Sequence, residues 1–231
     1  MATAELTEEL KRVLRGCSLF NGIPEEKFPN LLTCLKAERS AYRKDETLLN
    51  VGDRSRRAGI VLSGSIAMSY PDEQGNEINV CHISECDVFG TELACLQGGV
   101  SALRLRALSD CEVLALDFSD LMDERGSSCP FRMRVASNLL KNFARQSQFL
   151  NLRLRIISQK RLRDKIKVCL QDFSSDETGA IDLPFTRNEW AEFLYADRSA
   201  LSRELSRMGD KGLISYEGRH IRVLDRSFLQ N

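Results

Sequence analysis

Residues 185–213 read FTRNEWAEFLYADRSALSRELSRMGDKGL, and their pattern decides how the chain is organised. Thr186 and Glu189 stand at the spacing of a capping box, with Phe185 and Trp190 placed as a hydrophobic staple, so a helix is expected to begin at Arg187. Trp190, Phe193 and Leu194 form its apolar side. Tyr195-Ala196 then leaves room only for a tight turn before Asp197, a good N-cap for a second helix. That helix carries Leu201, Leu205 and Met208 on one face and Ser199, Ser202, Arg203, Ser206 and Arg207 on the other. Small and basic side chains of this kind let a helix approach phosphates and offer donors to base edges. Gly212 is expected as the left-handed residue that ends it, with Leu213 folding back on the last turn. The unit reads as a helix-turn-helix.

A plain helical hairpin with a solvated charged face would explain this stretch alone. The adjoining residues argue otherwise. Ile214–Tyr216 and His220–Leu224 are β-prone runs separated by Glu217-Gly218-Arg219, a strand, turn and strand. Added to the two helices, this hairpin makes a winged helix.

The run DRSALSRELSRMGDKGLI resembles the recognition segment of the Crp/Fnr family of bacterial transcription regulators, in which an Arg opens the second helix and another follows five residues later. Here those are Arg198 and Arg203. Some members carry a Glu directly after the first Arg; Ser199 stands there in this chain, which implies a different DNA sequence preference. The resemblance implies DNA contacts from Arg187, Arg198, Ser199, Ser202, Arg203 and Arg207.

Composition sets the outer limits. The chain of 231 residues holds 33 Lys and Arg against 33 Asp and Glu, so attraction to nucleic acid has to come from a local patch. One such patch is visible: Phe131 to Arg163 contains nine Lys or Arg and no Asp or Glu. Eight cysteines would suit a disulfide framework only in a secreted protein, and Met1-Ala2-Thr3-Ala4-Glu5 begins no signal peptide, so a reducing cytoplasm is expected. No apolar run approaches the roughly 20 residues that span a bilayer, and no membrane partner is expected.

Toward the N-terminus, Leu6, Leu10, Val13 and Leu14 suggest a short amphipathic helix, and Phe28, Leu31, Leu32 and Leu35 a second one after Pro24. SLFNGIPEEKFPNLL resembles the entry to a cyclic-nucleotide-binding domain. From about Ala37 to Phe118 come short alternating runs at Thr47–Val51, Ala58–Leu62, Ser65–Tyr70, Ile78–Ile83, Leu103–Leu108 and Val113–Leu116, the pattern of a β-barrel or jelly roll. Asp72–Glu77 reads as a polar hairpin tip and Gly64 as a second tight turn. IVLSGSIAM, DEQGNE and CDVFGTEL resemble the family's cassette, with Cys86 in place of the usual Gly ahead of Asp87.

From Pro130 to Ser158 a long helix is expected. Met133, Ala136, Leu140, Phe143, Ser147, Leu150, Leu154 and Ile157 follow alternating steps of three and four, a heptad seam for a two-helix coiled coil. A second partial stripe of Val135, Leu139, Phe149 and Ile156 is expected to face the chain's own barrel. One buried helix in a monomer explains one stripe and not two, so the seam predicts a homodimer. Leu162, Ile166, Cys169 and Leu170 mark one face of a further helix, and 174–179 reads as a polar loop.

Members of the family that bind cyclic AMP place a short helix N-terminus, preceded by Gly-Glu-Leu, under the phosphate and add an Arg about ten positions later. Backbone amides and helix dipole attract the anion, and the Arg pairs with it bidentately. Here Gly90-Thr91-Glu92-Leu93 supplies the helix start with one residue inserted, and the Arg-Ser pair falls at Val100-Ser101. Burying a phosphate without that cation loses on the order of 3 kcal/mol. Cyclic AMP at ordinary affinity is therefore not expected. Arg104 and Arg106 alternate with Leu103 and Leu105 and should aim at solvent. The pocket is expected at Gly90, Thr91, Glu92, Leu93, Val100 and Ser101, with Asn142 or Phe143 reaching in from the long helix, open to an unknown small-molecule effector or to none.

Some members of the family hold an iron–sulfur cluster with clustered N-terminal cysteines; Cys17 and Cys34 stand alone, so no cofactor or metal is expected. Cys81 and His82 alternate on a strand, which is poor metal geometry. Free Cys as a small apolar residue suffices at Cys34, Cys95, Cys111 and Cys169, while a thiol sensor at Cys81, Cys86 or Cys129 stays open. His82 and His220 complete no acid–base constellation, and no catalytic residue is expected.

The expected architecture is α+β: a jelly-roll sensor cassette over 1–129, a dimerisation helix over 130–158 and a winged helix over 159–231. The resemblance implies a dimeric, sequence-specific DNA-binding regulator on a palindromic operator, with RNA polymerase as a further partner. The rival reading is a ligand-binding or thiol redox-sensing regulatory subunit that acts through protein contacts.

Overall fold

The computed structural model describes residues 6–72, 74, 77–96, 99–119, 121, 131–174 and 179–230. The chain divides into two compact units, 1–142 and 143–231. The tip of the Asp72–Glu77 hairpin, most of the 174–179 loop, Cys129 and Pro130 lie outside the described residues.

In the first unit, α1 (Glu8–Gly16) starts at Thr7, whose hydroxyl accepts from Leu10 N, and buries Leu10, Val13 and Leu14. A 3-10 turn over Ser18–Phe20 leads to α2 (Phe28–Cys34), where Phe28, Leu31 and Leu32 are buried and Phe20 meets Phe28 edge-on. The strands come next: β1 (Glu38–Tyr42), β2 (Thr47–Leu49), β3 (Arg57–Ser63), β4 (Ser65–Pro71), β5 (Glu77–Ser84), β6 (Val88–Phe89), then α3 (Thr91–Cys95), β7 (Arg104–Ala107) and β8 (Cys111–Asp117). They form two antiparallel sheets, ordered β1-β8-β3-β6 and β2-β7-β4-β5. Val61, Ile66, Ile83, Leu105, Ala107, Cys111 and Val113, drawn from both sheets, make one apolar interior. Neither β1 nor β6 is legible from alternation. In β1, ERSAY, no residue is fully buried, and β6 is only two residues long.

Gly64 joins β3 to β4 at φ +80°, and a Cβ there would stand 2.4 Å from the carbonyl oxygen of Asp110. Backbone cannot yield to that contact as a flexible side chain would. Gly64→Ala should therefore cost about 2 kcal/mol or more, read as a lower urea midpoint with unchanged slope. An unshifted midpoint would show that this turn relaxes freely.

The long helix α4 (Arg132–Ile157) belongs to both units. Its first part buries Val135 and Leu139, and Asn138 Nδ2 donates to the carbonyls of Leu19 and Asn21, 2.9 Å each. Phe149 and Ile156 were expected against the barrel, and the structure corrects this. Ile156 joins Leu152 in the core of the second unit, and Phe149 meets Phe193 at 5.5 Å. The cause is length: 26 residues rise about 39 Å, more than one small unit can cover. The heptad seam is a third surface. Met133 and Leu140 are each 70% exposed, and Leu150, Leu154 and Ile157 are exposed as well.

In the second unit, α5 (Leu162–Phe173) buries Ile166, Cys169 and Leu170. β9 (Ala180–Asp182) precedes α6 (Arg187–Phe193), α7 (Arg198–Asp210), β10 (Ile214–Glu217), β11 (His220–Val223) and α8 (Ser227–Gln230). Its antiparallel sheet is ordered β10-β11-β9. Trp190 is buried at the centre with Nε1 donating to Cys169 Sγ at 3.3 Å. Phe185 stacks on Phe193 at 4.7 Å and meets Phe173 edge-on at 5.6 Å. Among the described residues no helix is long and apolar enough to cross a membrane.

Candidate nucleic-acid interface and effector pocket

The capping box at Thr186 is complete. Its hydroxyl accepts from Glu189 N at 3.4 Å, and the Glu189 carboxylate accepts from Thr186 N at 2.6 Å. α6 ends in a turn whose left-handed residue is Tyr195, φ +49°, with Ala196 N donating to Ala191 O. Asp197 then caps α7, accepting from Ser199 N at 2.9 Å and from Ser199 Oγ at 2.7 Å. Those bonds, with one from Ala200 N, hold the Asp197 carboxyl below the usual carboxylate range. Gly212 is left-handed at φ +68°, and Leu213 N returns to Met208 O at 3.0 Å.

Leu201, Leu205 and Met208 of α7 are buried, while Arg198, Ser199, Ser202, Arg203, Ser206 and Arg207 are exposed. The cations differ in how they are held. Arg203 Nε rests on the carbonyl of Ser199 at 3.3 Å, a weak tether that leaves the rest of its fork exposed. Arg207 pairs with Glu204 at 3.3 Å, and Glu204 also binds Arg163 of α5 at 2.7 Å. Burial works to raise the Glu204 carboxyl, but these two guanidinium groups outweigh it and leave it lowered.

Arg187 is engaged in the scaffold. Its guanidinium lies over Trp190 at 5.6 Å and Tyr216 at 5.2 Å, and Nη2 donates to Gly218 O at 3.4 Å, tying α6 to the wing. Desolvation, with Arg198 nearby, lowers its pKa from the ordinary value. Sequence reasoning missed Arg163 and Glu204; Glu204 with Arg207 at i,i+3 was the one local signal.

In the first unit, Gly90 is left-handed, φ +67°, and caps α3, with Ala94 N donating to its carbonyl at 3.1 Å. Leu93 is buried, Thr91 half-buried and Glu92 exposed. Val100 forms an isolated bridge with Arg54 and is 53% exposed. Ser101 is buried, but its hydroxyl is committed to its own loop, donating to Leu103 O at 2.7 Å and accepting from Leu103 N at 3.2 Å. Asn142 donates to Ser18 Oγ at 2.8 Å, and Phe143 is half-buried.

The cations of β7 are turned from the interior, as their alternation predicts. Arg104 binds Glu77 and Asn50, and Arg106 lies between Asp45 and Glu77, while Leu105 and Ala107 point into the roll.

The cysteines divide in the same way. Cys111 and Cys169 are buried as expected of small apolar residues, Cys34 is half-buried, and Cys95 is exposed, contrary to expectation, at the end of the short α3. Burial pushes Cys17 and Cys169 up to about 12, and desolvation raises Cys81 and Cys86.

Known proteins match along most of the chain. A cyclic nucleotide-binding domain model covers residues 39–125 and a Crp-like helix-turn-helix domain model residues 134–231. The chain is 21% identical over 183 residues to the cAMP-activated global transcriptional regulator CRP of Pasteurella multocida, covering 79% of this chain and 88% of that one. It is 26% identical over 196 residues to transcriptional activator protein FnrA of Stutzerimonas stutzeri, covering 79% and 75%. The Thermus thermophilus catabolite activator protein is similar in fold, with a TM-score of 0.53, 22% identity, and coverage of 92% of this chain and 96% of that one.

Proposed function

As a member of the Crp/Fnr family of DNA-binding transcription regulators, this chain works, we propose, as a homodimer that reads a palindromic operator through α7 under the control of an effector other than cyclic AMP. The observation that carries the reading is the exposed face of α7, where Arg198, Ser202 and Arg203 project from a helix whose other face is locked in the core. Arg198 and Arg203 are the candidates for base edges, and Arg207, shared with Glu204, is better suited to phosphate. Arg187 supports the reading face by holding the wing.

The exposed seam of α4 supports the dimer, since a monomer seldom leaves five large apolar residues along one helix in water. Pairing along it would set the two α7 helices for successive major grooves, about 34 Å apart. An effector that changes this pairing would change the match, and RNA polymerase is the partner the family implies. The raised thiols of Cys81 and Cys86 do not favour redox sensing at those two positions, because the thiolate is the reactive form. A gel shift with DNA from upstream of the chain's own gene, repeated at rising salt, tests the DNA reading. No retained fragment at any salt would refute it.

The CRP relatives are named for activation by cAMP. On the resemblance, Val100 takes the place of the pairing Arg, and it is half in solvent. A short helix start near Thr91 offers an anion roughly 0.3 to 2 kcal/mol, too little to hold a dehydrated cyclic phosphate. Calorimetry should show no binding of cyclic AMP or cyclic GMP at micromolar ligand. Val100→Arg should strengthen at least one of them by about tenfold or more. Micromolar binding of cyclic AMP by the unmodified protein would overturn this reading.

A further inference from the structure

The turn between α6 and α7 is built around an unfavourable residue. The position that comes after a helix and takes positive φ is ordinarily Gly, and outside Gly, Asn and Asp such a conformation is uncommon. Here it is Tyr195, at φ +49°, with Tyr195 N donating to Glu192 O and Ala196 N to Ala191 O. Its side chain does not offset the strain by burial, since it is 57% exposed. The ring must therefore contribute something a Gly could not.

Its contacts run to α4. Arg153 Nη2 donates to the Tyr195 hydroxyl at 2.8 Å, and the same guanidinium lies over the Tyr195 ring at 5.1 Å and over Phe193 at 6.0 Å. One turn earlier on the same face of α4, Phe149 meets Phe193. From the other side Lys165 of α5 donates to the carbonyls of Leu194 and Tyr195, at 2.9 and 3.4 Å. The turn that launches α7 is thus clamped between α5 and the last turns of α4. Asp197, two residues after Tyr195, caps α7, so any shift of this turn carries the start of α7 with it.

We propose that Arg153 and Tyr195 form a positioning latch that ties the orientation of α7 to the C-terminal turns of α4. Neither residue needs to touch DNA for this. The latch rests on the reading that α7 reads DNA. It goes beyond that reading by naming the contact through which the long helix is felt at the reading face. A latch of this kind predicts opposite signs for stability and function. Releasing the strained turn should not weaken the fold, while it should loosen the aim of α7.

Full-length Tyr195→Gly, Tyr195→Phe, Arg153→Gln and the Tyr195→Gly/Arg153→Gln double variant would be compared by thermal melting and by titration of two duplexes: the fragment retained in the gel shift and a scrambled one. Tyr195→Gly should melt at or above the wild-type midpoint and bind the retained fragment roughly tenfold more weakly, with scrambled DNA unchanged. Tyr195→Phe, which keeps the stacking and loses the hydrogen bond, should fall between. The double variant should be no weaker than Tyr195→Gly alone, because both changes open one contact. A lowered midpoint in Tyr195→Gly would assign the ring to packing and overturn the latch. So would wild-type affinity in that variant, additive losses in the double variant, or an Arg153→Gln loss shared equally by both duplexes, the last placing Arg153 on phosphate. A wild-type chain that retains no fragment would overturn the DNA reading itself, together with the latch that depends on it.

Discussion

Leu140→Glu or Leu150→Glu is expected to convert the proposed dimer into monomers. Both side chains stand on the exposed heptad seam of α4, Leu140 at 70% and Leu150 at 51% exposure in the single chain. Across a two-fold axis one substitution acts twice: two Leu are lost, each worth about 1.5 to 3 kcal/mol when buried, and two carboxylates face each other. Some 3 to 6 kcal/mol is roughly two to four decades in the dissociation constant before repulsion is added. The fold should survive, because neither residue belongs to the core of its own chain. Sedimentation velocity reads the result, and an unchanged dimer in both variants would move the interface off this seam. DNA binding should fall with assembly, since a monomer reads only half of a palindrome.

Arg203→Ala should cost about 1 to 3 kcal/mol on the retained fragment and relax selectivity at one base step, as loss of a bidentate base contact does. Arg203 is the better candidate for that role because its tether to Ser199 O is a single weak hydrogen bond. Arg207→Ala, which removes a cation already shared with Glu204, should cost less and cost it on every sequence alike. Competition titrations against single-step variants of the fragment separate the two. If Arg203→Ala loses equal affinity on cognate and scrambled DNA, it is a phosphate contact and another residue reads the base.

The boundaries of α6 and α7 and the wing were legible because their signals are local. A capping box closes within four residues, an N-cap within three, and a left-handed Gly ends its own helix. Thr186, Asp197 and Gly212 accordingly stand where their neighbours alone would put them. The apolar seam of α4 was also visible as a period, though what covers it is not a property of one chain's sequence. The strands of the roll emerged where alternation was clean and failed at β1, an edge strand whose ERSAY leaves no residue fully buried.

What the tertiary structure decided lies in contacts that local pattern does not encode. The resemblance implies a DNA contact for Arg187, but in the fold its guanidinium lies over Trp190 and Tyr216 and ties α6 to the wing. Ser101 looks free to meet a ligand, yet its hydroxyl closes the loop on the backbone of Leu103. Arg163 with Glu204 and Arg153 with Tyr195 join residues 41 and 42 positions apart, and no period or cap encodes such pairs. Local sequence determines backbone conformation because propensity and capping act within one or two turns. Which polar side chain is left free for DNA or an effector depends on the partners that packing brings to it, and only the folded chain supplies those.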